Sequence, residues 1–264
     1  MDTPPELLDE ILSHLPSDGG RSLQSCSLVS KSWLEPSRRL LFTHISVRVD
    51  NHQSWLDNIS PTNVGLLRHI RSLEYFQPPL RSNSLGRANF IRLRYGVDFD
   101  PRCNLFTLRD YLPAFCQLQT LTLRNMDIGS TISNHMDLFS AFQHSLSSLF
   151  LVQTSIKWST FVTILGYFPY LRHLEIRSSA FEMDDWYTPQ LPHPLRGKLF
   201  FSVLWSDIKP FVDRLLGLKP EYEELEVFGE YEHCLVTAVE SNLKSLKTSG
   251  CKCMLLAASS PGSK

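Results

Sequence analysis

No stretch of this 264-residue sequence approaches the roughly eighteen continuous apolar residues needed to span a bilayer. The acidic, proline-containing start from Met1 to Glu10 also lacks the character of a secretory leader. An intracellular protein, in the cytoplasm and/or nucleus and with no membrane partner, is therefore expected. An excess of charge of one sign is missing too. The 26 lysines and arginines meet 27 aspartates and glutamates, for a formal net charge of −1, and the pI is near 6.7. That balance gives no general attraction to nucleic acid or anionic lipid, so no nucleic-acid partner is expected. Cysteines are few and scattered, at Cys26, Cys103, Cys116, Cys234, Cys251 and Cys253. Reduced thiols fit this spacing better than a disulfide framework does.

Catalytic signatures are also lacking. The sequence contains no Walker phosphate loop, dinucleotide glycine fingerprint, Gly-x-Ser-x-Gly elbow or His-Glu-x-x-His. Cys251-x-Cys253 and His233-Cys234 are the only clustered soft ligands, and neither supplies the four-ligand spacing of a structural zinc site. Asp184 and Asp185 are adjacent carboxylates in a polar connector, where general acid/base chemistry needs two that converge on a substrate. No catalytic residue, metal site or cofactor is assigned, and a non-catalytic protein is expected.

Organised structure begins at Thr3. Thr3 and Glu6 have the spacing of a capping box with Pro4 at the first helical position, and the helix is expected to run to about Leu15. Leu7, Leu8, Ile11, Leu12 and Leu15 share one broad face; Glu6, Asp9, Glu10 and Ser13 take the other. Pro16 and Gly19-Gly20 end that helix. A second helical pattern carries Leu23, Cys26, Leu28 and Val29, and Pro36 argues against one long continuous helix after it. Three short helices in about forty residues cannot bury all their apolar surface alone.

Pro5-Glu6-Leu7-Leu8, Ile11, Leu15-Pro16 and Val29-Ser30-Lys31-Ser32-Trp33 together resemble the F-box, the short helical motif of ubiquitin-ligase substrate receptors. The resemblance covers residues 3 to 42. Thr3 departs from it, standing where the family usually has an apolar residue. The resemblance implies docking on a Skp-type adaptor held by a cullin scaffold, with Pro5, Leu7, Leu8, Ile11, Leu15, Val29 and Trp33 as the adaptor-binding residues.

Past Phe42 the period changes to Leu-x-x-Leu-x-Leu. Copies start at Phe42, Ile70, Leu118, Leu146, Leu171 and Tyr222, with weaker ones at Arg196 and Leu243. Their middle residues are 28, 48, 28, 25, 25, 26 and 21 positions apart. A return of this kind resembles a leucine-rich repeat. Helical spacing between the strand patterns, at 136–142, 161–168 and 208–216, suggests one helix per repeat. The expected fold class is α/β: an N-terminal three-helix F-box at 1–42, then an irregular leucine-rich-repeat-like solenoid for substrate recognition at 43–250, then a C-terminal tail at 251–264. No Gly/Ser- or Pro-rich linker separates the first two parts, so they are expected to move as one body.

With Leu121 and Leu123 inward, period two turns Arg124, Phe150, His173, Glu175, Arg177, Phe200 and Phe228 outward. Arg124, Phe150, His173, Arg177, Phe200 and Phe228 are the candidate client-binding residues, because arginine and aromatic side chains dominate interface energetics. Charge is uneven along the chain. Residues 65 to 110 hold eight arginines against four acids, whereas 182 to 240 hold twelve acids against five bases. Solvated faces account for this, or else a basic patch for an acidic or phosphorylated client segment. The resemblance implies the substrate-recognition subunit of a Skp adaptor/cullin/F-box ubiquitin ligase, with a protein client whose identity is open. The alternative is a non-catalytic interaction scaffold without ligase association.

Overall fold

The computed structural model describes residues 4–15, 20–48, 51, 54, 64–77, 115–126, 128, 136–183, 191–202, 211, 214–215, 217–218, 221–228 and 245–248. Three helices open the chain: α1 (Pro5–Ser13), α2 (Arg21–Ser27) and α3 (Lys31–Leu41). Helix α1 starts one residue later than the expected capping box requires. Pro4 is its N-cap, no side chain caps it, and the Leu7 and Leu8 amides donate to the Pro4 carbonyl at 3.1 and 3.2 Å. Pro5 at the first helical position costs no hydrogen bond, since its amide would have had no partner there. Thr3 lies outside the described residues.

Gly20 enters α2 in the left-handed region (φ +84°), and a Cβ there would come within 2.9 Å of Leu41 Cδ2. Glycine thus fits both the turn and the close approach of α3. The break before α3 falls at 28–30 rather than at Pro36, which sits inside α3. Helix α1 packs on α3, and the Asp9 carboxylate pairs with Arg39 across them.

The strands follow: β1 (His44–Arg48), then the one-turn helix α4 (Val64–Leu67), β2 (Ser72–Phe76) and β3 (Thr120–Arg124). A 3-10 segment, Met136–Phe142, precedes β4 (Ser148–Val152) and β5 (Ser155–Lys157). Next come α5 (Trp158–Tyr167), β6 (His173–Arg177), β7 (Ala180–Glu182), β8 (Arg196–Ser202), β9 (Glu221–Phe228) and β10 (Ser245–Thr248). Eight strands form one sheet in the order β1-β2-β3-β4-β6-β8-β9-β10, every pair parallel, while β5 and β7 form a separate parallel pair.

This corrects the expected architecture of a three-helix F-box followed by a leucine-rich-repeat-like solenoid. The chain forms a predominantly parallel sheet with few helices, and only the α/β character of the expectation stands. Two observations account for the difference. A regular strand–helix repeat needs a helix in each connection; of the three expected ones, 161–168 falls largely within α5, the described residues Phe211, Arg214 and Leu215 of 208–216 are helical, and 136–142 forms a 3-10 segment instead. The opening helices also enclose little core of their own: α2 buries no residue, α3 buries only Ser37, and α1 buries Leu8 and Leu12.

The core lies on one face of the sheet. Leu73 and Tyr75, Leu121 and Leu123, Leu149 and Leu151, and Leu174 and Ile176 alternate inward and are fully covered. Behind them Phe139, Phe142 and Phe168 pack with ring centroids 5.7 to 5.8 Å apart. Trp158, Phe161, Phe181 and Phe211 form a second aromatic group. Trp158, Phe161, Val162, Ile164 and Leu165 are all buried, so α5 presents most of its circumference to this core.

Two backbone devices repeat across the sheet. At the strand starts one carbonyl accepts two amides of the next strand. Thr43 accepts from Arg71 and Ser72, Arg71 from Gln119 and Thr120, Gln119 from Ser147 and Ser148, and Ser147 from Arg172 and His173. At the strand ends Asn125, Gln153 and Ser178 take the left-handed conformation, with φ near +50°. The Asn125 amide then donates to the Val152 carbonyl at 3.0 Å and the Gln153 amide to the Arg177 carbonyl at 2.7 Å. Just beyond, Thr154 and Ser179 are fully buried. Ser179 Oγ joins Thr154 Oγ1 at 3.0 Å, accepts the Thr154 amide at 3.3 Å and reaches the Leu151 carbonyl at 3.1 Å. Hydroxyls thus satisfy backbone groups that burial would otherwise leave unpaired.

Candidate protein-interaction surfaces

Two surfaces follow from this framework. The first is on the opening helices. With Leu8 and Leu12 turned toward α3, the next positions around α1 face solvent: Leu7 is 50% and Ile11 45% exposed. Leu28 and Val29, between α2 and α3, are 86% and 67% exposed. Trp33 and Leu15 are half-buried, and the side chain of Pro5 lies outside the described residues. Of the predicted adaptor-binding set, Leu7, Ile11 and Val29 therefore present apolar surface, whereas Leu8, at 2% exposure, spends its side chain inside the chain. Leu28 was missed, although its place in the second helical pattern beside Val29 was a usable signal. These helices meet the sheet side through Glu35, whose Oε1 stands 3.2 Å from His69 Nε2 and 3.8 Å from Arg68 Nη2.

The second surface is the outward face of the sheet. Along each strand the residues between the buried ones project away from the core, and the parallel register sets them in rows across it. Glu74, Thr122, Phe150, Glu175 and Phe200 form the central row. Arg48, Phe76, Arg124, Val152 and Arg177 form the row at the strand C-terminal ends. Arg124 Nη2 pairs with Glu74 Oε1 at 3.1 Å, and Ser46 donates to the other oxygen of Glu74 at 2.8 Å.

Glu175 was expected to face solvent but is covered to 6% exposure. Its neighbours supply the reason. Phe150 and Phe200 flank it in register, Phe150 stacks on His173 at 5.1 Å, and Arg177 lies over Phe200 at 5.0 Å. Arg177 pairs with its carboxylate, which compensates the charge removed from water. His173 Nε2 stands 3.5 Å from the second oxygen and makes no hydrogen bond. Period two places the outward residues with described side chains on the right face but says nothing about rings leaning over a shorter neighbour.

The structure thus brings Phe150, His173, Arg177 and Phe200 together around one carboxylate, with Arg124 two strands from Arg177. The predicted Phe228 ends β9 opposite Ser202, and its side chain lies outside the described residues. Cys251, Cys253, His233, Cys234, Asp184 and Asp185 lie outside them as well. Cys26 and Cys116 are free thiols. Among the described residues no group of three or more His, Cys, Asp or Glu gathers at metal-binding distance, and no helix is long and apolar enough to cross a membrane. No protein-family model matches this chain, and no curated protein does so.

Proposed function

We propose that this chain is a non-catalytic recognition subunit of a ubiquitin ligase. Residues 3–42 dock on a Skp-type adaptor and through it on a cullin scaffold, while the outward sheet face holds a client protein near the ubiquitin-transferring enzyme. It would work in the cytoplasm and/or nucleus.

One observation carries this reading. Six large hydrophobic residues are exposed among the described residues, and four of them, Leu7, Ile11, Leu28 and Val29, lie in the opening segment, on α1 or between α2 and α3. Scattered apolar residues on a surface need no explanation, but a concentration on one short segment marks a contact site. The segment is the one whose sequence resembles the F-box. Burying one such side chain contributes about 1.5–3 kcal/mol, so losing two of them should be enough to release the adaptor.

The test is a pulldown of a purified Skp-type adaptor by the full chain, beside the double variant Leu7→Ala/Ile11→Ala, with circular dichroism on both. Because these two side chains are exposed, the variant should fold as the parent does and bind at least tenfold less adaptor. A Tyr170→Ala control, exposed but outside the opening helices, should bind normally. A folded parent that captures no adaptor would instead select an interaction scaffold without ligase association.

A further inference from the structure

From β1 to β6 the row at the strand C-terminal ends alternates between a cation and an apolar side chain, Arg48, Phe76, Arg124, Val152 and Arg177, before it continues to Ser202 on β8. The three arginines are exposed and the two apolar residues half-buried. Adjacent strands lie about 4.8 Å apart, so the backbone positions of the three arginines recur every ~9.6 Å. Arg124 and Arg177 are fixed in place. Arg124 is held by Glu74, and Arg177 by Glu175 and the ring of Phe200. A guanidinium has five donors and one carboxylate engages at most two, so each retains donors for a second acid.

From this row we infer that the outward face binds an extended acidic protein segment with a carboxylate at every third residue. The inference rests on the client-receptor reading and names the client's chemistry. A polyproline-II segment advances about 3.1 Å per residue, so residues three apart stand ~9.3 Å apart, close to the spacing of the arginines. Carboxylates at that interval meet Arg48, Arg124 and Arg177 in turn, and the residues between them lie over Phe76 and Val152. Anchored arginines lose little freedom on binding, which favours recognition by position over diffuse attraction.

Charge also disfavours the longest connection of this chain as the occupant. Residues 78–114, which follow β2 in the sequence, contain six arginines against Asp98, Asp100 and Asp110. Like charge opposes their lying along an arginine row.

The probe is a fluorescent twelve-residue peptide, (Glu-Pro-Leu)4, titrated into the full chain and read by anisotropy. Three comparison ligands are (Lys-Pro-Leu)4, an isomer with its four glutamates adjacent, and a twelve-nucleotide oligo-dT. The first peptide should bind at least tenfold more tightly than any of the three and weaken as salt rises. Arg48→Ala/Arg124→Ala should lower its affinity tenfold or more. Arg177→Lys, which keeps a cation beside Glu175 but removes the fork, should lower it severalfold. Equal binding of the adjacent-glutamate isomer or of oligo-dT would overturn the inference, leaving only a polyanion surface, and so would no binding at all. Adaptor capture by the same variants should be unchanged, so a failure of the docking reading is seen separately from a failure at this face.

Discussion

The opening helices and the sheet bury apolar surface in different ways. In the sheet, the buried strand leucines have counterparts in register on both neighbouring strands, and they join the rings of α5 and the 3-10 segment in one continuous core from Val47 to Leu218. In the helices, Leu8 and Leu12 stand apart from that body, and Leu7, Ile11, Leu28 and Val29 remain 45–86% exposed. The sheet contains the partners of its own apolar surface, and the helices leave half of theirs for something else. Stability should therefore be concentrated in the sheet and binding in the helices.

Phe168→Ala tests the sheet side most severely. This ring is fully buried against Phe139 and Phe142, and its loss should cost about 3–5 kcal/mol. Urea unfolding followed by circular dichroism measures it; a cost below about 1 kcal/mol would mean that the core is not continuous there. Next in size is Gly197→Ala. Gly197 has φ +92°, and a Cβ on it would stand 2.1 Å from the Arg172 carbonyl oxygen, at the point where β8 breaks register with β9. Backbone has to move, and a loss of about 3 kcal/mol is expected in the same assay.

A smaller effect is expected for Ser179→Ala. It removes the hydroxyl shared by Thr154 and the Leu151 carbonyl, leaving buried polar groups unpaired at a cost of about 1–3 kcal/mol. Restoration by Ser179→Thr, which keeps the hydroxyl, would tie the loss to the hydrogen bonds rather than to the cavity. Leu28→Ser should do least to stability. At 86% exposure it should shift unfolding by no more than about 0.5 kcal/mol, while weakening adaptor capture. A large drop in stability from Leu28→Ser would erase the contrast between the two regions, because the helices would then depend on contacts of their own.

Much of the strand framework was legible because it rests on a local rule. All eight copies of the Leu-x-x-Leu-x-Leu pattern overlap strands of the main sheet, including the weak ones at Arg196 and Leu243. Alternation of apolar and polar residues survives tertiary packing, since a one-residue slip would turn every leucine to water. The connections were less legible. The spacing at 136–142 suits a helix, but seven residues hold few α-type hydrogen bonds, and the segment settles as a 3-10 run that still buries Phe139 and Phe142. Reading a helix into each connection produced the solenoid that the sheet corrects.

At the candidate surfaces the legible part was composition and the illegible part was direction. Leu7 and Leu8 are equally apolar neighbours, and only the packing of α1 on α3 decides that one faces water and the other does not. Glu175 reads as a surface acid until Phe150 and Phe200 are known to lean over it.

The unequal spacing of the strands has a consequence for how such a chain can vary. Forty-eight positions separate Leu73 from Leu121, against 28 between Leu121 and Leu149, yet each pair stands directly opposite in adjacent strands. The frame is thus indifferent to the length of what joins its strands, since lengthening a connection adds little closure entropy. Sequence could be spliced in between β2 and β3, by descent or by an engineer, and the rungs on either side would keep their places. The same indifference makes that interval the natural position for a reporter domain.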